Sequence, residues 1–188
     1  MGMVSDHPNT RIGVAEYLEG EQATEVKHEY VAGTVYAMGG ASREHNLISG
    51  NLFAALHAHL RGGPCQTFMA DMKVHLRLGD DEIFYYPDVV VGCDPEDRAR
   101  YYLERPRFIA EVVSPATERV DRREKLLAYT RLESLASYLI LEQDRPAGLL
   151  YRRSTDWTAE PLTTGERFEL PELEIGLDID EIYAGALE

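Results

Sequence analysis

The chain has 188 residues, 44% of them hydrophobic and 28% charged, with 33 acids against 19 bases and a formal net charge of −14. That length suits one domain with a substantial core, and the composition excludes a largely disordered chain. The acidic balance excludes a protein that coats nucleic acid with a uniformly basic surface, but not an enzyme that engages it through a local patch.

No apolar run approaches the roughly 18 residues that span a bilayer. The opening MGMVSDHPNTRIG lacks a basic start followed by an apolar stretch, so no secretory signal is expected. Cys65 and Cys93 stand far apart in no metal-type spacing. Two reduced thiols in a cytoplasmic protein are therefore expected.

Residues 10–21 read as a short helix, with Ile12, Ala15 and Leu18 on one face. HEYVAGTVYAM, residues 28–38, is two strand-like runs around Ala32-Gly33 and predicts a hairpin. Residues 42–60 form the clearest amphipathic helix: Ser42 caps it and Gly62-Gly63-Pro64 stops it. Strands are expected over 65–69, 72–78, 83–86 and 88–91, and a continuous apolar strand over 108–113. A second strong helix is expected over 118–133. Strands follow over 137–141, 148–151 and 157–162, then an acidic tail with alternating apolar residues. The order predicts an α/β chain: a mixed central sheet with helices packed on it.

Chemistry is sought where charge meets an apolar strand. Asp88 stands at the entry to the strand in YYPDVVV, and Glu111 lies inside FIAEVV. A carboxylate there is costly unless it is paired or holds a metal. One such residue is most simply an ion pair or an edge position. Two of them, followed by a helix with a lysine, suggest oxygen ligands for Mg²⁺ and an ammonium to orient an attacking water.

Pro87-Asp88, then EVVSPAT from Glu111, then Asp121 and Lys125 in DRREKLLAY, then SYLILE resemble the Uma-type family of bacterial restriction-endonuclease-like proteins. That family sits within the PD-(D/E)xK nuclease superfamily. Glu29 before the hairpin and His45 early in the long helix match the family pattern as well. The resemblance covers about residues 14–177 and implies one restriction-endonuclease-like domain over residues 1–188, with its core at about 10–180. It implies Mg²⁺-dependent hydrolysis of DNA phosphodiester bonds, with Mn²⁺ able to substitute, by a cytoplasmic homodimer. Asp88 and Glu111 would ligate the ion, with the Val112 carbonyl as a further ligand. Lys125 would position the water, supported by Glu29 and His45.

The lysine that the superfamily pattern places two residues after the glutamate is Val113 here, so Lys125 on the next helix is its candidate replacement. Asp121 and Lys125 are four residues apart and share a helix face, so the plain alternative is an exposed ion pair of small effect. Lys73 in MKVHLRL is the next candidate. Asp71 reads equally as a turn residue, and His57 and His59 point to different helix faces and make no metal pair. Bases outnumber acids over residues 98–131, and these arginines are expected to line the approach to the site. Two rival readings are a nucleic-acid-binding module of the same fold without catalysis, and an oligomer whose Asp88 and Glu111 pair with arginines.

Overall fold

The structure is a computed structural model and describes residues 11–113 and 124–187. α1 (Val14–Ala23) begins four residues after the expected start at residue 10 and ends two residues past the expected end. Its Tyr17 ring stacks on Tyr30 and meets Phe84, which fastens the helix to the sheet beneath. β1 (His28–Val31) and β2 (Thr34–Ala37) pair antiparallel about Ala32-Gly33, as the hairpin signal predicts. Both turn residues have positive φ, 50° and 91°, which matches the right-handed strand twist. A Cβ on Gly33 would come to 2.7 Å from the Arg11 Cβ, so only glycine fits there.

α2 (Arg43–Leu60) begins as expected: Ser42 Oγ accepts the His45 N–H at 3.1 Å. Ile48, Leu52 and Leu56 on one face are fully buried. After it come β3 (Gln66–Met69), β4 (Lys73–Leu78), β5 (Asp81–Tyr85), β6 (Val89–Gly92), the two-residue β7 (Tyr102–Leu103) and β8 (Pro106–Val113). The described chain resumes with α3 (Leu126–Tyr129), then β9 (Ser137–Glu142), β10 (Ala147–Arg152), β11 (Ala159–Thr163), β12 (Arg167–Leu170), β13 (Ile175–Asp178) and α4 (Ile179–Ile182).

The α/β architecture with mixed sheets matches the expectation, and the strands divide between layers. One sheet has the order β2-β1-β5-β4-β7 and the other β11-β10-β9-β8-β6-β3, with β12-β13 as a separate pair. Alternation along β6 and β8 sends Val89, Val91, Phe108, Ala110 and Val112 to the α2 side. It sends Val90, Ile109 and Val113 to the other side, against Val74, Leu76, Ile83 and Tyr85 of the first sheet and Tyr129 of α3. β6 and β8 are antiparallel, and β8 and β9 parallel.

Two expectations change. Within the described residues the helix expected over 118–133 ends at Tyr129. The Leu132 N–H then bonds Tyr129 O, and the Leu135 N–H bonds Leu132 O. These turns bury Leu132 and Leu135 and deliver the chain into β9, so packing overrides helical periodicity. Cys65 and Cys93 are joined as a disulfide, not two reduced thiols. Gln66 and Gly92 are register partners, so the cysteines just beyond them face each other across the β3–β6 pair. Their distance along the chain conceals that proximity.

Candidate functional site

Asp88 lies one residue before β6. Val89 pairs with Ala110, so the next step of the register sets Asp88 opposite Glu111. Facing residues of antiparallel strands project to the same side. Asp88 Oδ2 accepts the Val112 N–H at 2.7 Å. An extended residue points its N–H and C=O to the same strand edge, so the Val112 carbonyl faces the Asp88 edge too. Asp88 Oδ1 takes His45 Nε2 at 2.8 Å. The capped first turn of α2 presents that imidazole, and the Ser49 hydroxyl bonds the His45 carbonyl at 2.8 Å.

Glu111, in the middle of β8, is 4% exposed, and Lys125 is 5% exposed. Lys125 Nζ lies 3.1 Å from Glu111 Oε1 and 2.9 Å from Glu29 Oε1. The Tyr129 hydroxyl donates to the same Glu111 oxygen at 3.2 Å. The Tyr86 N–H donates to Glu29 Oε1 at 3.3 Å, and the Tyr85 ring centre is 5.3 Å from Lys125 Nζ. β1, the β5–β6 connection, β8 and the α3 region thus each bring one part of the cluster. Burial, and then the Glu111 charge, hold the Tyr129 phenol well above the ordinary tyrosine range, so it serves as a neutral donor.

Lys125 is therefore buried rather than exposed, and it lies against two carboxylates from other segments. Asp121 lies outside the described residues. Glu29, His45, Asp88, Glu111 and Lys125 do come together, with the direct contacts His45–Asp88, Lys125–Glu29 and Lys125–Glu111. The described partners of Asp88 and Glu111 are histidine and lysine rather than arginine. Among the described residues no three carboxylate, imidazole or thiol groups converge closely enough to hold an ion by themselves. The donor chemistry nevertheless suits a hard cation: Asp88 and Glu111 face each other from adjoining strands beside a backbone carbonyl, and Lys125 lies against Glu111 and Glu29.

Lys73 belongs to a neighbouring cluster. Its ammonium lies 3.0 Å from the Tyr86 hydroxyl, which donates to Glu21 Oε2 at 2.7 Å. Burial lowers the Lys73 pKa and raises that of Tyr86. Asp71 is a turn residue that pairs with Lys27 at 2.6 Å. His57 stacks on Phe53, and His59 meets the Leu173 carbonyl, so both are structural. Of the arginines over 98–131, Arg98 pairs with Glu96 and Arg105 with Asp94. Arg119, Arg122 and Arg123 lie outside the described residues. The sequence reading missed Tyr129, Tyr86 and Glu21. Tyr129 had a signal, since it stands one helical turn after Lys125. The other two had none, because contacts between distant segments assemble them.

With two mixed sheets and this carboxylate–lysine cluster in place, comparison with known proteins gives the class. The chain belongs to the Uma2 family, described as "Putative restriction endonuclease", whose model matches residues 14–181. It is 34% identical over 181 residues to the uncharacterised protein slr1290 of Synechocystis sp., covering 95% of this chain and 94% of that one. It is 31% identical over 132 residues to sll1609 of the same organism, covering 69% of this chain and 73% of that one. The fold resembles the crystal structure of "a putative nuclease belonging to DUF820" from Anabaena variabilis, with a TM-score of 0.69 at 15% identity, over 87% of this chain and 93% of that one. No helix among the described residues is long and apolar enough to cross a membrane.

Proposed function

We propose that this chain is a Mg²⁺-dependent endonuclease that hydrolyses phosphodiester bonds in DNA, with Mn²⁺ able to substitute. The observation that carries the reading is the facing pair Asp88 and Glu111 at the β6–β8 border, with Lys125 against Glu111. Asp88, Glu111 and the Val112 carbonyl would hold the ion. When bound, the ion supplies Lewis-acid polarisation of a phosphoryl oxygen and makes a water acidic enough to attack near neutral pH.

The chain's own groups do the rest. His45 donates to Asp88 Oδ1 and, with the Val112 N–H on the other oxygen, fixes that carboxylate's orientation. Lys125 orients the attacking water with its ammonium and offsets charge that develops on the phosphate. Glu29 holds Lys125 at 2.9 Å and is itself held by the Tyr86 N–H. In this reading the chain acts as one domain. A cytoplasmic homodimer brings two such sites to the two strands of a duplex.

The test is cleavage of supercoiled plasmid by purified protein with Mg²⁺, with Mn²⁺ and with EDTA. Nicked and linear products should appear with either ion and vanish with EDTA. Asp88→Asn and Glu111→Gln should each lower the rate by about 10²-fold or more. DNA binding without metal-dependent cleavage would instead favour a binding module that has lost the chemistry.

A further inference from the structure

Glu111 accepts two donors of different kinds on a single oxygen. Lys125 Nζ and the Tyr129 hydroxyl both meet Oε1, at 3.1 and 3.2 Å. They stand one turn apart on the same side of the same segment, which is why both reach it. Their freedom differs. Lys125 has a flexible four-carbon stem and divides its ammonium between Glu111 and Glu29. Tyr129 is fully buried, with the Tyr85 and Tyr138 rings edge-on to it at 5.7 and 5.3 Å. Its hydroxyl cannot swing away without displacing that packing.

We propose that Tyr129 is a positioning residue for the metal: its hydroxyl sets the rotation of the Glu111 carboxylate and keeps it when Lys125 turns toward the substrate. The inference rests on Asp88 and Glu111 being the ion's ligands. A lysine that serves both as ion-pair partner and as water-orienting group has to loosen one contact to make the other. Glu111 then gives up a charged donor in an aromatic-walled, water-poor place, and such a carboxylate is costly to leave short of hydrogen bonds. A rigid phenol on the same oxygen offsets that loss and preserves the ligand's geometry. Groups that orient metal ligands from behind in this way typically account for 10–100-fold in metal affinity.

The test is calorimetric titration of the full chain with Mn²⁺, without DNA. Tyr129→Phe removes one hydroxyl and keeps the ring, and Tyr138→Phe does the same to the ring packed edge-on against Tyr129. The expected result is at least about tenfold weaker Mn²⁺ binding in Tyr129→Phe, with Tyr138→Phe unchanged. Equal affinity in wild type and Tyr129→Phe, or equal weakening in both variants, overturns the positioning role. Failure of the wild-type chain to bind Mn²⁺ overturns the metal reading itself, and this inference with it. A wild-type measurement covers the case in which Tyr129→Phe does not fold. Mn²⁺ at saturation should perturb the near-ultraviolet tyrosine spectrum through the Glu111–Tyr129 bond, and a flat spectrum counts against the proposal.

Discussion

Lys125 shows what sequence spacing reveals of a residue and what it hides. The motif resemblance selects it, but helical spacing offers Asp121 as partner and suggests an exposed pair. Among its described partners, Glu29 from β1 and Glu111 from β8 come from other segments of the chain, and the lysine is buried rather than exposed. The consequence is a stability effect as well as a catalytic one. Lys125→Ala should lower cleavage by roughly 10²-fold or more. It should also destabilise the fold by about 3–5 kcal/mol, because two largely buried carboxylates lose a shared cation. Denaturant unfolding and cleavage rates on the same preparations check both, with exposed Glu124→Ala as control. Unchanged stability would mean that water reaches the cluster far better than its burial suggests. Lys125→Arg should rescue poorly, since a broad planar guanidinium cannot place a single donor where the ammonium sits. The buried tyrosines give a pH prediction at the same scale. Burial is the leading cause that raises the pKa of Tyr17, Tyr86, Tyr129 and Tyr183 above the usual 10.0. At pH above 10 the unfolded chain releases those protons and the folded one keeps them, so the folded state binds more protons and loses stability as pH rises. Lys73, with its pKa lowered from 10.5, works the other way only below that value. Stability should therefore fall steeply above pH 10, and absorbance titration should show these four phenols ionising only with unfolding.

At the scale of elements, what was legible was what is local. The hairpin follows from two φ-positive residues between strand-like runs, and α2 from one cap, one apolar stripe and one Gly-Gly-Pro stop. α3 ends before the expected residue 133 because a tertiary need, burying Leu132 and Leu135 before β9, stops the helix within an otherwise helical pattern. The cap of α2 couples element to site, since Ser42 Oγ holds the backbone of His45, whose ring holds Asp88. Ser42→Ala should cost about 1 kcal/mol. For a chain of this length that is a fall of roughly 2–4 °C in Tm. Calorimetry checks the value, and no change in Tm would show that the Ser42 contact contributes nothing to α2.

The molecule as a whole was the least legible level. A chain-order reading predicts strands but not which sheet each joins, and here β1, β2, β4, β5 and β7 form one sheet while β3, β6 and β8 enter the other. That division sets the site: β1 delivers Glu29 from one sheet and β8 delivers Glu111 from the other, and their charges meet at Lys125. The same long-range pairing places Cys65 against Cys93, a bond that their positions in the chain do not suggest. It closes a loop with a sequence separation of 28 and ties α2's exit to the end of β6. Loop-closure entropy for that length is worth about 3–4 kcal/mol. Reduction should therefore lower Tm by roughly 6–16 °C. Asp88 precedes β6 while Cys93 follows it, so metal affinity measured well below Tm should survive reduction. Calorimetry with and without dithiothreitol, together with thiol counting in denaturant, decides the matter. Two reactive thiols in the unreduced protein, or the same Tm in both conditions, would show that the sheet pairing holds these strands without the bond.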